Sequence, residues 1–294
     1  MASVIAVAGS EAQAAVIAEQ LGLPLIVPEV RRFPDGELYV RVDADLAGQD
    51  AILVGTLTQP ADKFLLVAFL AATARDLGAR SVGLVAPYLA FMRQDIAFHR
   101  GEGVTARYFA RLLSGAVDWL VTVDPHLHRM PDLDGLYSIP TTVARAAPDI
   151  ARWIAREIVE PVLVGPDAES VQWVAAVAAA CGAPYVILEK TRRGDRDVSV
   201  SAPDRPWHGH TPVVIDDIVS TGRTMIEATK QLCAAGSAPP MCVAIHAVFA
   251  DALGVELVAA GARGIVTCNT IPHATNRISI DAALVAAVRA RLQG

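Results

Sequence analysis

Short apolar runs rich in β-branched residues recur along the chain. Between them lie longer stretches in which apolar positions return every three or four residues. The runs Val4–Ala8, Ala51–Val54, Ser81–Val85, Trp119–Val123, Val162–Val164, Tyr185–Leu188, Pro212–Ile215, Met241–Ala247 and Gly264–Cys268 predict strands. The stretches Asp62–Leu77, Thr105–Leu113, Glu169–Cys181 and Thr224–Ala234 predict helices. Strands that are apolar throughout suit burial on both faces, and their alternation with helices predicts an α/β fold with mostly parallel sheets flanked by helices.

The longest uncharged run, Ser170–Leu188, contains Gln172, Gly182 and Pro184 and is largely alanine. It reads as a buried helix followed by a strand, not a membrane span. The first residues, Met-Ala-Ser-Val-Ile-Ala-Val, lack the basic region of a signal peptide and read as a first strand.

A weak internal repeat predicts two similar domains. Ile52-Leu-Val-Gly55, a helix, Gly78-Ala79 and a strand are echoed by Val162-Leu-Val-Gly165, a helix, Gly182-Ala183 and a strand. Val121-Thr-Val-Asp124 likewise echoes Val213-Val-Ile-Asp216. The expected domains are 1–145 and 146–294. The boundary falls near Pro140–Pro161, where Ala144-Arg-Ala-Ala-Pro148 interrupts the pattern.

Composition narrows the partners. The 294 residues are 53% apolar, enough for a sizeable core, and carry 25 basic and 31 acidic side chains for a formal charge of −6. No basic run stands out, which argues against a nucleic-acid partner, and no membrane partner is expected. Cys181, Cys233, Cys242 and Cys268 show no CxxC spacing and sit among apolar neighbours. They read as buried free thiols of a reducing compartment, so a cytoplasmic location is expected.

The most informative segment is Val213-Val-Ile-Asp-Asp-Ile-Val-Ser-Thr-Gly-Arg-Thr-Met225. An apolar strand runs into two acids, then a small-residue turn, then a helical pattern. Such a helix start aims free N–H groups and the positive end of its dipole at an anion. Ser220, Thr221 and Thr224 add hydroxyls, and Gly222 permits a tight turn. Asp216 and Asp217 suit sugar hydroxyls or a magnesium shell. The structural alternative is a capping box of Thr224 with Glu227, with the acid pair merely ending a strand. On its own the segment marks a sugar-phosphate site without fixing a reaction.

This cradle resembles the phosphoribosyl diphosphate (PRPP) motif of the type I phosphoribosyltransferase fold. Further segments resemble the ribose-phosphate diphosphokinases, or PRPP synthetases. These are Arg32-Phe-Pro-Asp-Gly-Glu37, Pro87-Tyr-Leu-Ala-Phe-Met-Arg-Gln-Asp95, Val123-Asp-Pro-His126, Gly165-Pro-Asp167, Lys190-Thr-Arg192 and Cys268-Asn-Thr-Ile-Pro272. They follow the family order from residue 32 to 272, and the short segment after Arg93 is closer to archaeal-type variants.

The resemblance implies two tandem type I phosphoribosyltransferase-like domains, the first for ATP and the second for ribose 5-phosphate. It implies transfer of the diphosphoryl group of ATP to ribose 5-phosphate, giving PRPP and AMP, with Mg2+. Phe33, Asp35 and Glu37 would reach the adenine of a neighbouring chain, so a homo-oligomer, at least a dimer, is implied. Arg93, Gln94 and Asp95 would hold the nucleotide. His126 and Asp167 would serve metal, and Lys190 and Arg192 the transferring group. Asp216 and Asp217 would take the ribose, and Ser220, Thr221, Gly222, Arg223 and Thr224 its phosphate. Read singly, Phe33 suits a core, His126 a structural role, and Arg93, Lys190 and Arg192 a solvated surface.

Departures from the family pattern accompany these matches. The diphosphate loop, usually Pro-Asp-x-Gly-Gly, is Pro166-Asp-Ala-Glu-Ser170, and Arg223 stands within the cradle. Two rival readings stay open: a phosphoribosyltransferase that consumes PRPP, and a catalytically silent, nucleotide-binding regulatory paralogue.

Overall fold

The computed structural model describes residues 1–127, 130, 132–193, 197–201 and 209–293, with the backbone alone for 189–193 and 197–201. It divides into two compact units, Met1–Ala144 with Asp281–Gly294, and Arg145–Ile280.

In the first unit the chain runs β1 (Ala2–Ala6), α1 (Glu11–Leu21), β2 (Leu25–Ile26), β3 (Glu29–Arg32), β4 (Leu38–Arg41), β5 (Asp50–Val54), α2 (Pro60–Asp76), β6 (Ser81–Ala86), α3 (Thr105–Ala116), β7 (Trp119–Val123) and β8 (Thr141–Ala144). The second unit follows with α4 (Ala147–Glu157), β9 (Pro161–Gly165), α5 (Val171–Cys181), β10 (Tyr185–Ile187), β11 (Glu189–Arg193), β12 (Asp197–Ser201), β13 (Thr211–Val219), α6 (Arg223–Ala234), β14 (Met241–Ala247), α7 (Ala252–Ala259), β15 (Gly264–Cys268) and β16 (Asn276–Ile278). The last helix, α8 (Asp281–Gln293), completes the chain.

Each unit holds one six-stranded parallel sheet, ordered β2-β1-β5-β6-β7-β8 and β10-β9-β13-β14-β15-β16. The expected parallel architecture is therefore present twice. Val4, Ile5, Ile52, Leu53, Leu84, Leu120 and Val121 are wholly buried in the first sheet, as are Val162, Leu163, Val213, Val214 and Val243 in the second. Burial on both faces is why these strands read as unbroken apolar runs.

The topology corrects the alignment of the internal repeat. By position in the sheet, β1 corresponds to β9 and β5 to β13, so Val162–Gly165 is the counterpart of β1 and not of β5. The true echo is Gly22-Leu-Pro24 against Gly182-Ala-Pro184. Both glycines end a helix in the left-handed conformation, at φ 67, before an edge strand. After each edge strand comes an antiparallel hairpin, β3–β4 in one unit and β11–β12 in the other.

The terminal helix belongs to the first unit, where the expected division had placed it in the second. There α8 packs on α1, β7 and β8; in the second unit α4 packs on α5 and β16. The two helices fill corresponding slots, α8 from the end of its unit's sequence and α4 from the start of its own. The segment Ala144-Arg-Ala-Ala-Pro148 does not interrupt the pattern but opens α4, with Pro148 in the first turn, where a missing N–H is harmless.

Ser170–Leu188 forms α5 and β10 as expected, and among the described residues no helix is long and apolar enough to cross a membrane. The four cysteines are free thiols; Cys242 and Cys268 are buried, while Cys181 and Cys233 are only partly so.

Gly83 tests how tightly the first sheet is packed. A Cβ there would lie 1.9 Å from Cε2 and 2.0 Å from Cζ2 of Trp119, a buried ring on the neighbouring strand. Gly83→Ala must displace the indole or the backbone. It is expected to lower stability by about 3 kcal/mol, at the upper end of ordinary overpacking. Urea denaturation of the two proteins checks this through the transition midpoint.

Candidate active site

The segments singled out in the sequence fall in corresponding places. The hairpins follow the edge strands β2 and β10. The loops after β6 and β7 carry Pro87–Asp95 and Asp124–His126, and those after β9, β13 and β15 carry Asp167, Ser220–Thr224 and Asn269–Pro272. Each set gathers at the carboxyl ends of its own parallel sheet, where ligands collect in this architecture.

In the second unit β13 runs through to Val219, longer than expected, so Asp216 and Asp217 are strand residues rather than turn residues. The Asp216 carboxylate accepts from the amide of Asp217 at 3.0 Å, and the Asp217 carboxylate accepts from the amide of Ile218 at 2.7 Å. Asp217 is buried and Asp216 is more open. Burial, then repulsion from Asp217 and Asp167, pushes the Asp216 carboxyl up to about 8.

Asp167 follows β9 and shapes a short 3-10 turn over Ala168–Ser170, accepting from the amide of Glu169 at 3.1 Å. The Ser170 hydroxyl donates to the Asp167 carbonyl at 2.6 Å. Neither Glu169 nor Ser170, at the two glycine positions of the family pattern, has a positive φ, so the turn closes without those glycines.

The cradle turns at Gly222, which is left-handed at φ 68 and caps α6. A Cβ there would lie 2.1 Å from Leu253 Cδ1, so both the conformation and the space call for glycine. No side chain caps α6, and Glu227 accepts from Gln231 at 2.9 Å. The capping box of Thr224 and Glu227 is therefore not formed. Arg223 is the first residue of α6 and exposed; Thr221 is exposed, and Ser220 and Thr224 are half-buried. Lys190 and Arg192 pair with Val200 and Val198 in the β11–β12 ladder, and their side chains lie outside the described residues.

In the first unit residues 33–37 close the β3–β4 hairpin. The amide of Phe33 donates to the Glu37 carbonyl, and that of Gly36 to the Phe33 carbonyl, both at 2.9 Å. Asp35 accepts from the amide of Glu37 at 3.1 Å. Phe33 is 41% exposed, so the core reading of this residue fails. Its ring meets Tyr39 edge-on at 6.3 Å, and the Arg31 guanidinium lies 5.3 Å from its centroid. The hairpin thus presents an aromatic face beside two exposed carboxylates.

Arg93 is exposed, whereas Asp95 is buried. Gln94 accepts from the Thr105 hydroxyl at 2.9 Å and so anchors the start of α3. His126 is half-buried.

Backbone strain marks the same edge, at residues whose types do not announce it. Gln59, Phe91 and Asp124 have φ of 50, 63 and 29, and they follow β5, β6 and β7 respectively. A bulky residue at positive φ is a true outlier, and such residues concentrate at functional sites. Phe91 is held there by its ring contact with Phe109, 4.9 Å between centroids.

Cys268–Pro272 has a supporting role. The Thr270 hydroxyl donates to the Ile245 carbonyl at 2.8 Å, so it accepts from Nδ1 of the buried His246 at 2.9 Å. Asn269 accepts from the amide of Ile280 at 2.8 Å. These bonds tie the β15 loop to β14 and to the segment before α8.

Among the described residues no three His, Cys, Asp or Glu side chains are grouped so as to hold a metal alone. Magnesium does not require such a cage, since it is commonly bound through one or two carboxylates and the substrate phosphates.

Comparison with known proteins agrees with this geometry. Residues 2–116 match the N-terminal domain of ribose phosphate pyrophosphokinase, and residues 136–283 match a phosphoribosyl transferase domain. A ribose-phosphate pyrophosphokinase of Thermoplasma acidophilum is 34% identical over 84% of this chain and 85% of its own. That of Methanopyrus kandleri is 33% identical over 92% of this chain and 93% of its own. The crystal structure of phosphoribosylpyrophosphate synthetase from Mycobacterium smegmatis superposes with a TM-score of 0.87 at 25% identity, covering 99% of this chain and 98% of that one. With a strand order, a cradle and a hairpin that all fit, the chain belongs to the ribose-phosphate pyrophosphokinase family.

Proposed function

We propose that this chain transfers the diphosphoryl group of ATP to ribose 5-phosphate, giving PRPP and AMP. The observation that carries the reading is the start of α6, free of any side-chain cap and set after a strand bearing Asp216 and Asp217, in a member of this family. The amides at the helix start, with the hydroxyls of Ser220, Thr221 and Thr224 and the Arg223 guanidinium, bind the 5-phosphate. Asp216 and Asp217 accept from the ribose hydroxyls, which relieves the repulsion between these acids.

In the reaction the anomeric oxygen bonds to the β-phosphorus. The bond from that phosphorus to the α–β bridging oxygen breaks, AMP keeps the electron pair, and the hydroxyl proton passes to water. Such a transfer needs positioning and neutralisation of spreading charge more than covalent help. Lys190 and Arg192 supply that charge from the β11–β12 hairpin, with Arg93 and Gln94 on the nucleotide and Asp95 bracing their loop. His126 would hold magnesium on the ATP, and Asp167 would anchor the diphosphate site through a second magnesium; when bound, the metal would neutralise charge on the polyphosphate. The mutual repulsion of Asp167, Asp216 and Asp217 fits a site built to receive a cation or hydroxyl donors.

Phe33, Asp35 and Glu37 serve the adenine of a neighbouring chain, so the working form is at least a homodimer. The exposure of this hairpin's aromatic and acidic side chains supports that assignment. The cell cytoplasm supplies both substrates.

Three outcomes test the reading. Purified protein with ATP, magnesium and ribose 5-phosphate should release AMP and PRPP; release of ADP, or no product with any divalent metal, overturns it. Mixing Phe33→Ala chains with Lys190→Ala chains, each nearly inactive, should restore about a quarter of wild-type activity. Half of randomly formed dimers are hybrids with one intact site each. No recovery on mixing removes the shared-site assignment.

The third outcome is a pH dependence of stability without ligands. Asp216 holds a proton when folded that the unfolded chain releases near the ordinary value of 3.8. The folded state therefore binds more protons between about 4 and 8, and stability falls as pH rises through that window. The slope from this group is at most about 1.4 kcal/mol per pH unit. Asp216→Asn should lie flatter than wild type in denaturant melts across the window, and identical slopes would show that Asp216 is ionised there.

A further inference from the structure

The cradle turn at Gly222 leans on an element that carries none of its ligands. Leu253, in the first turn of α7, fills the space in which a Gly222 Cβ would stand, 2.1 Å from its Cδ1. The loop before α7 is bonded to the same place. There the amide of Val248 donates to the carbonyl of Val219, the residue before Ser220, at 3.0 Å. The start of α7 therefore sets where the turn Ser220–Thr224 can lie.

Asp251 stands at the cap position of α7, where an acid ordinarily accepts from the helix's own first amides. Here its side chain makes no such bond. Its Oδ1 lies 3.2 Å from Nε2 of His273, on the loop between β15 and β16, whose side chain is only 11% exposed. The buried Phe249 ring meets that imidazole edge-on, with 4.7 Å between centroids.

The state of the imidazole can be read from its other nitrogen. The Thr275 amide, which can only donate, lies 3.2 Å from Nδ1. Nδ1 is therefore an acceptor, and the neutral ring carries its proton on Nε2. Three side chains enforce the same sense. Asn276 Nδ2 donates to Thr267 Oγ1, Thr267 to Thr275 Oγ1, and Thr275 to His273 Nδ1, each at 2.8 Å. The Nε2–H left over is buried, and it is close to Asp251 without being in line for a hydrogen bond. The contact is an attraction between a carboxylate and a buried N–H dipole, and removing the carboxylate strands that N–H.

We propose that Asp251 and His273 are positioning residues for the cradle. Their contact fixes the start of α7, and Leu253 and Val248 pass that placement to the turn that holds the sugar phosphate. The inference rests on the assignment of Ser220–Thr224 to the 5-phosphate.

Two measurements on the full chain test it: calorimetric binding of ribose 5-phosphate, and steady-state kinetics of AMP release. Binding is read with magnesium and α,β-methylene ATP, whose α–β bridge cannot break. Asp251→Ala and His273→Phe, the latter keeping a ring against Phe249, should each raise the dissociation constant and KM for ribose 5-phosphate about tenfold, with KM for ATP and kcat within about twofold of wild type. The double variant should also lose about tenfold, not the roughly hundredfold of independent changes, because each substitution removes the same contact. Asp251→Asn keeps an acceptor oxygen and His273→Gln an N–H donor, so both should recover most of the affinity.

If His273→Phe fails to fold by circular dichroism, Asp251→Ala is read against Asp251→Asn alone. Unchanged affinity in the variants, equal losses for ATP and ribose 5-phosphate, or losses that multiply in the double variant overturn the proposal. A wild type that binds ribose 5-phosphate but releases no AMP fails the proposed reaction alone, and the affinities of the variants then decide this inference. A wild type without affinity for ribose 5-phosphate overturns both.

Discussion

Strands that all run one way have all their carboxyl ends on one edge of the sheet, and most of what this chain does follows from that constraint. A parallel strand cannot return to its neighbour through a tight hairpin, so each crossover helix begins beside the strand that precedes it. In the second unit this brings the start of α6 next to the end of β13, and the acids on that strand next to Asp167 after β9. The cradle is a product of strand polarity before it is a product of any particular side chain.

Polarity alone would yield an ordinary α/β unit, and charge makes the difference. Asp217 is buried beside Asp216, and the positive end of α6 carries neither an acidic side chain nor a cap; its first residue is a cation. Each choice opposes what stability alone would favour, since acids belong at helix starts and cations at helix ends. In the first unit the same edge carries strained backbone at Gln59, Phe91 and Asp124. Violations of local rules that cluster on one edge are the physical trace of a site.

The buried strands were legible because burial on both faces leaves an unbroken apolar run, as at Val162–Val164 and Met241–Ala247. Edge strands and hairpins were not. Glu29-Val-Arg-Arg32 is polar because most of it faces solvent, and Glu189-Lys-Thr-Arg-Arg193 carries no apolar residue at all, so hydropathy passes over both. The repeat was detected but set out of step, by one strand at Ile52–Gly55 and by two at Val121–Asp124, since apolar tetrapeptides resemble one another whatever their place in the sheet. The glycine-x-proline that follows α1 and α5 carried the true register. The cradle was legible from residue types alone, whereas Phe33 was not: nothing in one aromatic side chain tells whether it lies in a core or at a hairpin tip. Asp95 reads like its polar neighbours yet is buried.

The assignment of α8 to the first unit bears on how the protein is made. The first unit is interrupted by the whole of the second, and it gains its covering helix only from residues 281–293. Synthesis proceeds from the amino end, and domains generally fold as units as they emerge. The second unit, contiguous in sequence, has all of its strands before α8 is made. The first unit, though its strands are translated earliest, waits for α8, so the flanks of α1 and β8 stay uncovered until residues 281–293 have emerged.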